Sequence, residues 1–186
     1  SGVGHRLSRV LGARSVAIVG ASADPSKITG RPLAYMLARG FQGRLYPVNP
    51  GRDQVQGLRA YASLAAIGEP VDLAIVGTAA AQVEAVVAEG IAAGVRAFVI
   101  FSSGFAELDD EGRALQQRLA ALARASGTAI LGPNCLGLAN ARSGLIASFT
   151  TALEETPLRA GGFSLVSQSG ALGAYWLDIV LRSGLG

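Results

Sequence analysis

One cysteine, Cys135, and one histidine, His5, are all the thiol and imidazole ligands that 186 residues offer. A lone thiol makes no internal disulfide, and one Cys with one His makes no structural zinc site, so stapled folds and thiolate metal chemistry are excluded. Charge is also sparse, at 16% of residues, and the net +3 comes from arginines scattered along the chain. With aromatics at only 6%, no basic stripe interleaved with stacking side chains marks a nucleic-acid surface. No apolar run approaches the roughly 18 residues that cross a membrane. The N-terminal stretch around Arg6 and Arg9 lacks the apolar core and cleavage site of a secretory signal. The expectation is a cytoplasmic protein with neither nucleic acid nor membrane as partner.

What the chain does hold is small and apolar: 50% hydrophobic residues and 25 glycines, a balance that suits an α/β protein with a full core. Strand-like runs recur at 16–19, 44–48, 73–76, 97–101 and 128–131, each followed by Gly, Pro, Ser or Asn. Helical stripes fill the gaps. Leu33, Met36 and Leu37 follow Pro32 and stop at Gly40. Val83, Val86, Val87 and Ile91 run from about Thr78 to Gly94, and Leu108, Leu115, Leu119 and Leu122 close at Gly127. A shorter helix fits 61–67. Strand and helix alternating five times predict a parallel sheet with helices on both faces. Beyond 134 the pattern is irregular until a sixth strand at 162–166 runs into a helix carrying Leu172, Trp176, Ile179 and Val180. Charge, Pro157 and glycine gather at 154–161, which predicts a first domain over 1–154 and the start of a second at 162–186.

Ligands of such sheets bind beyond the carboxyl ends of the strands. That rule selects Gly20 and Ser22; Asn49, Pro50 and Arg52; Gly77 and Thr78; Ser102, Ser103 and Gly104; and Pro133, Asn134 and Cys135. The first turn reads as an anion site: Gly20 and Ala21 admit a ligand to the backbone, Ser22, Lys27 and Thr29 add donors, and the next helix is expected to aim unpaired N–H groups at it. It is not the dinucleotide fingerprint, because Ser22 stands where G-x-G-x-x-G needs its second glycine. After the second strand, Arg52 replaces the carboxylate that would accept from an NAD ribose. Arginine there fits a phosphorylated ribose, which NADP and coenzyme A share, and it also fits a plain surface turn. Cys135 reads equally as a small buried thiol. Ser167-Gln168-Ser169-Gly170 opens the last helix. Ser167 stands where a nucleophile elbow needs glycine, and His5 is far from any strand end, so no Ser-His-acid triad is expected. Hydroxyls there fit a phosphoryl group or a helix cap.

Taken in order, 15–22, Tyr46-Pro47-Val48-Asn49-Pro50, Ser102-Ser103-Gly104-Phe105-Ala106-Glu107, Gly132-Pro133-Asn134-Cys135-Leu136-Gly137 and Val166-Ser167-Gln168-Ser169-Gly170-Ala171-Leu172 resemble the NDP-forming acyl-CoA synthetases. These are relatives of the succinyl-CoA synthetase α subunit. The resemblance implies a Rossmann-like domain that binds CoA and a flavodoxin-like domain beginning near Gly162. Ser22 and Lys27 would lie along the coenzyme's phosphates and Asn49 and Arg52 at its nucleotide end. Gly20, Gly77, Thr78, Ser102 and Ser103 would line the groove, and Asn134 and Cys135 would sit near the thiol. Ser167, Gln168, Ser169 and Gly170 would head a helix that steadies a phosphohistidine. The implied reaction joins a carboxylate, CoA and ATP or GTP with Mg into acyl-CoA, NDP and phosphate, with an ATP-grasp domain or subunit as partner. The phosphorylated histidine and the ATP-grasp part have no counterpart in this stretch, so the chain alone is expected to bind CoA without completing the cycle. A homo-oligomer is left open. Rival readings are the synthetase-like region of a protein lysine acetyltransferase, a CoA-sensing module and an NADP-dependent oxidoreductase.

Overall fold

The computed structural model describes residues 2–186, with side chains from Arg6 onward. The expectation that His5 takes no catalytic part therefore lies outside the described side chains. Helix α1 (Gly2–Leu11) leads into β1 (Ser15–Val19), α2 (Arg31–Ala38) and β2 (Arg44–Val48). A small antiparallel hairpin follows, β3 (Gln54–Val55) and β4 (Leu58–Arg59), then a 3-10 turn at Ala65–Ile67 and β5 (Leu73–Val76). Next come α3 (Ala80–Ala92), β6 (Ala97–Ile100), α4 (Asp110–Ser126) and β7 (Ala129–Leu131). A second hairpin, β8 (Gly137–Asn140) and β9 (Leu145–Ser148), precedes α5 (Ala152–Glu155) and α6 (Gly170–Arg182).

The five main strands form one parallel sheet in the order β2-β1-β5-β6-β7. Strand side chains alternate between its faces. Val16, Ile18, Leu73, Ile75 and Val99 join Leu33 and Met36 of α2, Val10 of α1 and the β9 residues Leu145 and Ile146 in one core layer. Ala17, Val19, Ala74, Val76, Phe98 and Ile100 join Val83 and Val87 of α3 and Leu115 and Leu119 of α4 in the other. This is the α/β, Rossmann-like sheet covered on both faces that the alternation predicts. Its helices end where the glycines stand: α4 is capped at its start by Asp109, whose carboxylate accepts from the Gly112 amide, and closes on left-handed Gly127.

Several expectations are corrected. The stretch 61–67 forms only a 3-10 turn, with Tyr61 bridging to Val48. Leu108 lies outside α4 and is exposed. The segment beyond 134 is not irregular, because β8–β9 packs its second strand against α2. Leu145, Ile146 and Ala147 are all buried, so the inside-outside alternation that announces a strand is absent. The strand expected at 162–166 does not form. Among the described residues no strand lies beside it, and a strand without a neighbour leaves its amides unpaired. Val166 is 98% exposed there. The helix expected after it is present as α6, and Leu181 reaches back into the first core layer.

The segment after β9 is fastened to α2 by three side chains spaced four residues apart, hence on one helix face. Arg31 donates to Phe149 O at 2.9 Å, Tyr35 to Thr150 O at 2.8 Å, and Arg39 to Thr156 O at 3.1 Å and also to Leu153 O. These donors satisfy carbonyls around α5 that a four-residue helix leaves open. No described helix is long and apolar enough to cross a membrane.

Candidate functional site

The carboxyl ends of all five parallel strands lie along one sheet edge, and an open cavity of about 600 Å³ sits above β1 and β2, lined by Gly20, Ala21, Ser22, Ala23, Asp24, Asn49 and Arg52. Gly20 makes the turn possible. Its φ is +81, and a Cβ there would contact Thr78. The Gly20 and Ala21 amides both donate to Val48 O, at 3.0 and 3.2 Å, which fold the chain back over the edge.

The rest of the 21–30 loop is closed on itself. Ser22 Oγ accepts from the Asp24 amide at 3.1 Å, and Asp24 Oδ1 accepts from both the amide and the hydroxyl of Ser26. Those two bonds, hydroxyl first, hold the Asp24 carboxyl below its ordinary range. The expectation about the helix is corrected here. The Gly30 and Arg31 amides at its start both donate to Lys27 O, and Pro32 has no N–H. With the Ala34 amide donating to Gly30 O, only the Leu33 amide of the first turn has no protein acceptor among the described residues, and Leu33 does not line the cavity. The free donors that border the cavity are instead the backbone amides of Ser22 and Ala23, which have no protein acceptor among the described residues. Two adjacent free amides beside a guanidinium make an anion-binding concavity.

Of the residues selected from sequence, Gly20, Ser22, Asn49 and Arg52 meet at this cavity. Asn49 is a structural member, since its Nδ2 donates to Ala21 O at 2.9 Å and its Oδ1 accepts from the Gly51 amide at 2.9 Å. Arg52 is exposed and forms no ion pair with a carboxylate among the described residues. Lys27 is exposed on the loop and does not line the cavity.

Gly77, Thr78, Ser102, Ser103, Asn134 and Cys135 continue along the edge. Ser102 Oγ donates to Thr78 O at 2.5 Å, and the Asn134 amide donates to Ser102 O at 2.9 Å, tying the ends of β5, β6 and β7. Thr78 Oγ1 is buried without a hydrogen-bond partner among the described residues, an unmet hydroxyl at a strand end that water or a ligand can satisfy. Ser103 is exposed. Cys135 Sγ lies 3.4 Å from Ile100 O, and burial pushes its thiol pKa up, so it stays protonated at neutral pH. Farther on, Ser169 Oγ caps α6 by accepting from the Leu172 amide at 3.3 Å, and Ser167 Oγ donates to Ser169 O at 2.8 Å. Gly170 is close to Leu136, which brings Ser167, Gln168, Ser169 and Gly170 beside the loop that holds Cys135.

Sequence reasoning passed over Ala23, which supplies an amide and no side-chain chemistry, and Gln56. Gln56 sits at the β3–β4 turn, and its Nε2 donates to Ser22 O at 3.0 Å and Gly30 O at 2.9 Å. Val55 and Leu58 flanking Gln56-Gly57 were the available signal for that hairpin.

Residues 14–141 match the CoA binding domain family. The chain belongs to that family. The match takes in every strand end along the edge. Among curated relatives, the α subunit of ADP-forming acetate–CoA ligase II from Pyrococcus furiosus is 38% identical over 161 residues, covering 87% of this chain and 34% of the relative. The ADP-forming 4-hydroxybutyrate–CoA ligase of Nitrosopumilus maritimus is 33% identical, covering 96% of this chain and 25% of the relative. Among solved structures, the dinucleotide-forming acetyl-coenzyme A synthetase 1 of Ca. Korarchaeum cryptofilum, in complex with phosphate and ADP, superimposes with a TM-score of 0.86 at 34% identity. That likeness covers 97% of this chain and 38% of the other. The chain thus spans between a quarter and two fifths of these relatives, and corresponds to their CoA-binding portion.

Proposed function

We propose that this chain is the CoA-binding part of an acyl-CoA synthetase that converts a carboxylate, CoA and a nucleoside triphosphate into acyl-CoA, nucleoside diphosphate and phosphate. The observation that carries the reading is the pair of free amides at Ser22 and Ala23 beside Arg52, within a stretch that matches the CoA binding domain family. In this reading the two amides hold the coenzyme's pyrophosphate, with Ser22 and Lys27 beside it and Asn49 and Arg52 at the nucleotide end. Arg52 takes the ribose phosphate. The pantetheine arm runs past Gly20, Gly77, Thr78, Ser102 and Ser103, where Thr78 Oγ1 finds its partner, and the thiol ends near Asn134 and Cys135. Protonated Cys135 contributes shape and a weak donor rather than a nucleophile.

The remaining chemistry belongs to partners: ATP or GTP with Mg on an ATP-grasp domain or subunit, and a phosphohistidine steadied by Ser167, Gln168, Ser169 and Gly170. Residues 162–186 begin the second domain, and its remainder covers the apolar face of Phe163, Leu165, Val166, Leu172, Tyr175 and Trp176, each at least 39% exposed. A cytoplasmic setting fits a soluble carboxylate substrate. Calorimetry with CoA, dephospho-CoA and NADPH side by side tests the reading. CoA binding most tightly supports it, and NADPH binding in preference to CoA overturns it.

A further inference from the structure

The nine residues 22–30 carry the cavity's free amides, but no strand or helix holds them. Both ends are tied instead to one side chain from elsewhere in the chain. Gln56 Nε2 donates to Ser22 O at 3.0 Å and to Gly30 O at 2.9 Å. Only the NH₂ end of an amide has two hydrogens to give, and both acceptors are carbonyls, so the donor capacity of Gln56 is spent on drawing the loop's ends together. Gln56 is set up for this at a conformational cost. It sits at φ +50, in the left-handed region that disfavours a side chain, at the first position of a two-residue turn. Its neighbour Val55 is 1% exposed and anchors the turn in the core layer beneath. The excursion 49–61 that carries it is closed at its base by Asn49 N to Tyr61 O at 2.8 Å and Tyr61 N to Pro47 O at 2.9 Å. That same excursion brings Asn49 to Ala21 O and Arg52 to the cavity. One rigid insert therefore both lines the site and buckles its loop.

We infer that Gln56 is a positioning residue, which pre-forms the 22–30 loop so that the Ser22 and Ala23 amides meet the pyrophosphate of CoA without a folding step. The inference rests on the CoA reading above and adds to it the device that sets affinity. Rigidifying a binding loop raises affinity by removing the ordering cost at the moment of association. Losing the two hydrogen bonds is expected to weaken CoA by on the order of tenfold.

The test uses Gln56→Gly, which removes the clamp and relieves the positive φ, and Gln56→Glu, which keeps the shape but turns a carboxylate oxygen toward two carbonyls. Amide hydrogen exchange over 22–30 is followed with and without CoA, alongside calorimetry with CoA and with pantetheine, which lacks the phosphates. The expected result is faster exchange confined to 22–30 in both variants without ligand, with a global melting temperature within a few degrees of the parent. CoA is weakened about tenfold in Gln56→Gly and more in Gln56→Glu, and pantetheine is unchanged. Parent-like exchange in the loop, or an equal loss for CoA and pantetheine, overturns the inference. Variants that show the exchange effect while the parent itself binds no CoA leave the clamp standing and remove the CoA reading.

Discussion

Gly30 offers the sharpest test of how the loop depends on backbone contact. It is buried at the entry to α2 with an ordinary φ of −93, so its role is space rather than conformational freedom. A Cβ added there would come to 2.9 Å from the Asp24 carbonyl carbon, 3.2 Å from Ser22 O, and closer still to Asp24 O. All three are main-chain atoms that no rotamer change can move, so in Gly30→Ala the 22–24 segment must retreat by on the order of 1 Å to restore contact distance. Overpacking of this kind costs about 1–3 kcal/mol. For a chain of this size that lowers the melting temperature by roughly 2–4 °C per kcal/mol, or about 4–8 °C at the middle of the range. Affinity should suffer more than stability, because the displaced segment carries both free amides. Losing a charge-assisted bond from each is worth about tenfold to a hundredfold or more in CoA binding. The control is Gly68→Ala. Gly68 has φ +76 and no heavy atom within 4 Å of the added Cβ, so it suffers backbone strain of about 1–2 kcal/mol without touching the loop. Calorimetry and thermal melts on both variants decide the matter. If Gly30→Ala binds CoA as the parent does while melting lower, the loop is not the phosphate site.

Arg52→Ala should lower CoA affinity about tenfold, the value of one exposed guanidinium–phosphate contact, and should abolish the preference for CoA over dephospho-CoA; equal losses for the two ligands would remove Arg52 from the ribose phosphate. Because burial raises the Cys135 pKa, its alkylation by iodoacetamide should stay slow at pH 7 to 8 and accelerate only at strongly alkaline pH. The same shift means that folding favours the protonated thiol, so its contribution is intact below the unfolded thiol range and is lost as pH rises through the folded value; rapid labelling at pH 7 would contradict the burial. Arg39→Ala removes the donor to Leu153 O and Thr156 O and should cost about 2 kcal/mol, with faster proteolytic cleavage across 154–161 as the readout.

The regular parts of this fold are legible in the chain because their signals are local. Apolar runs such as Val16 to Val19 and the Leu115–Leu119 stripe of α4 reveal their own period, and the rule that ligands gather at strand ends selects Gly20, Ser22, Asn49 and Arg52 before any contact is known. The short hairpins escape notice for opposite reasons. β9 is buried on both sides and shows no alternation, whereas β3 and β4 are two residues each, too short to show a period at all.

What residue order determined by itself is the sheet, its layers and the edge where chemistry gathers, since periodicity and turn residues act over a few neighbours. Only tertiary structure decided which donors are free at that edge. The Arg31 amide, which local pattern assigns to a ligand at the start of α2, is consumed by Lys27 O, and the loop whose Ser22 and Ala23 amides border the cavity is held by Gln56, more than twenty residues away. Hydrogen-bond partners are allotted by proximity in space, and no stretch of sequence records which of its backbone groups a distant side chain will claim.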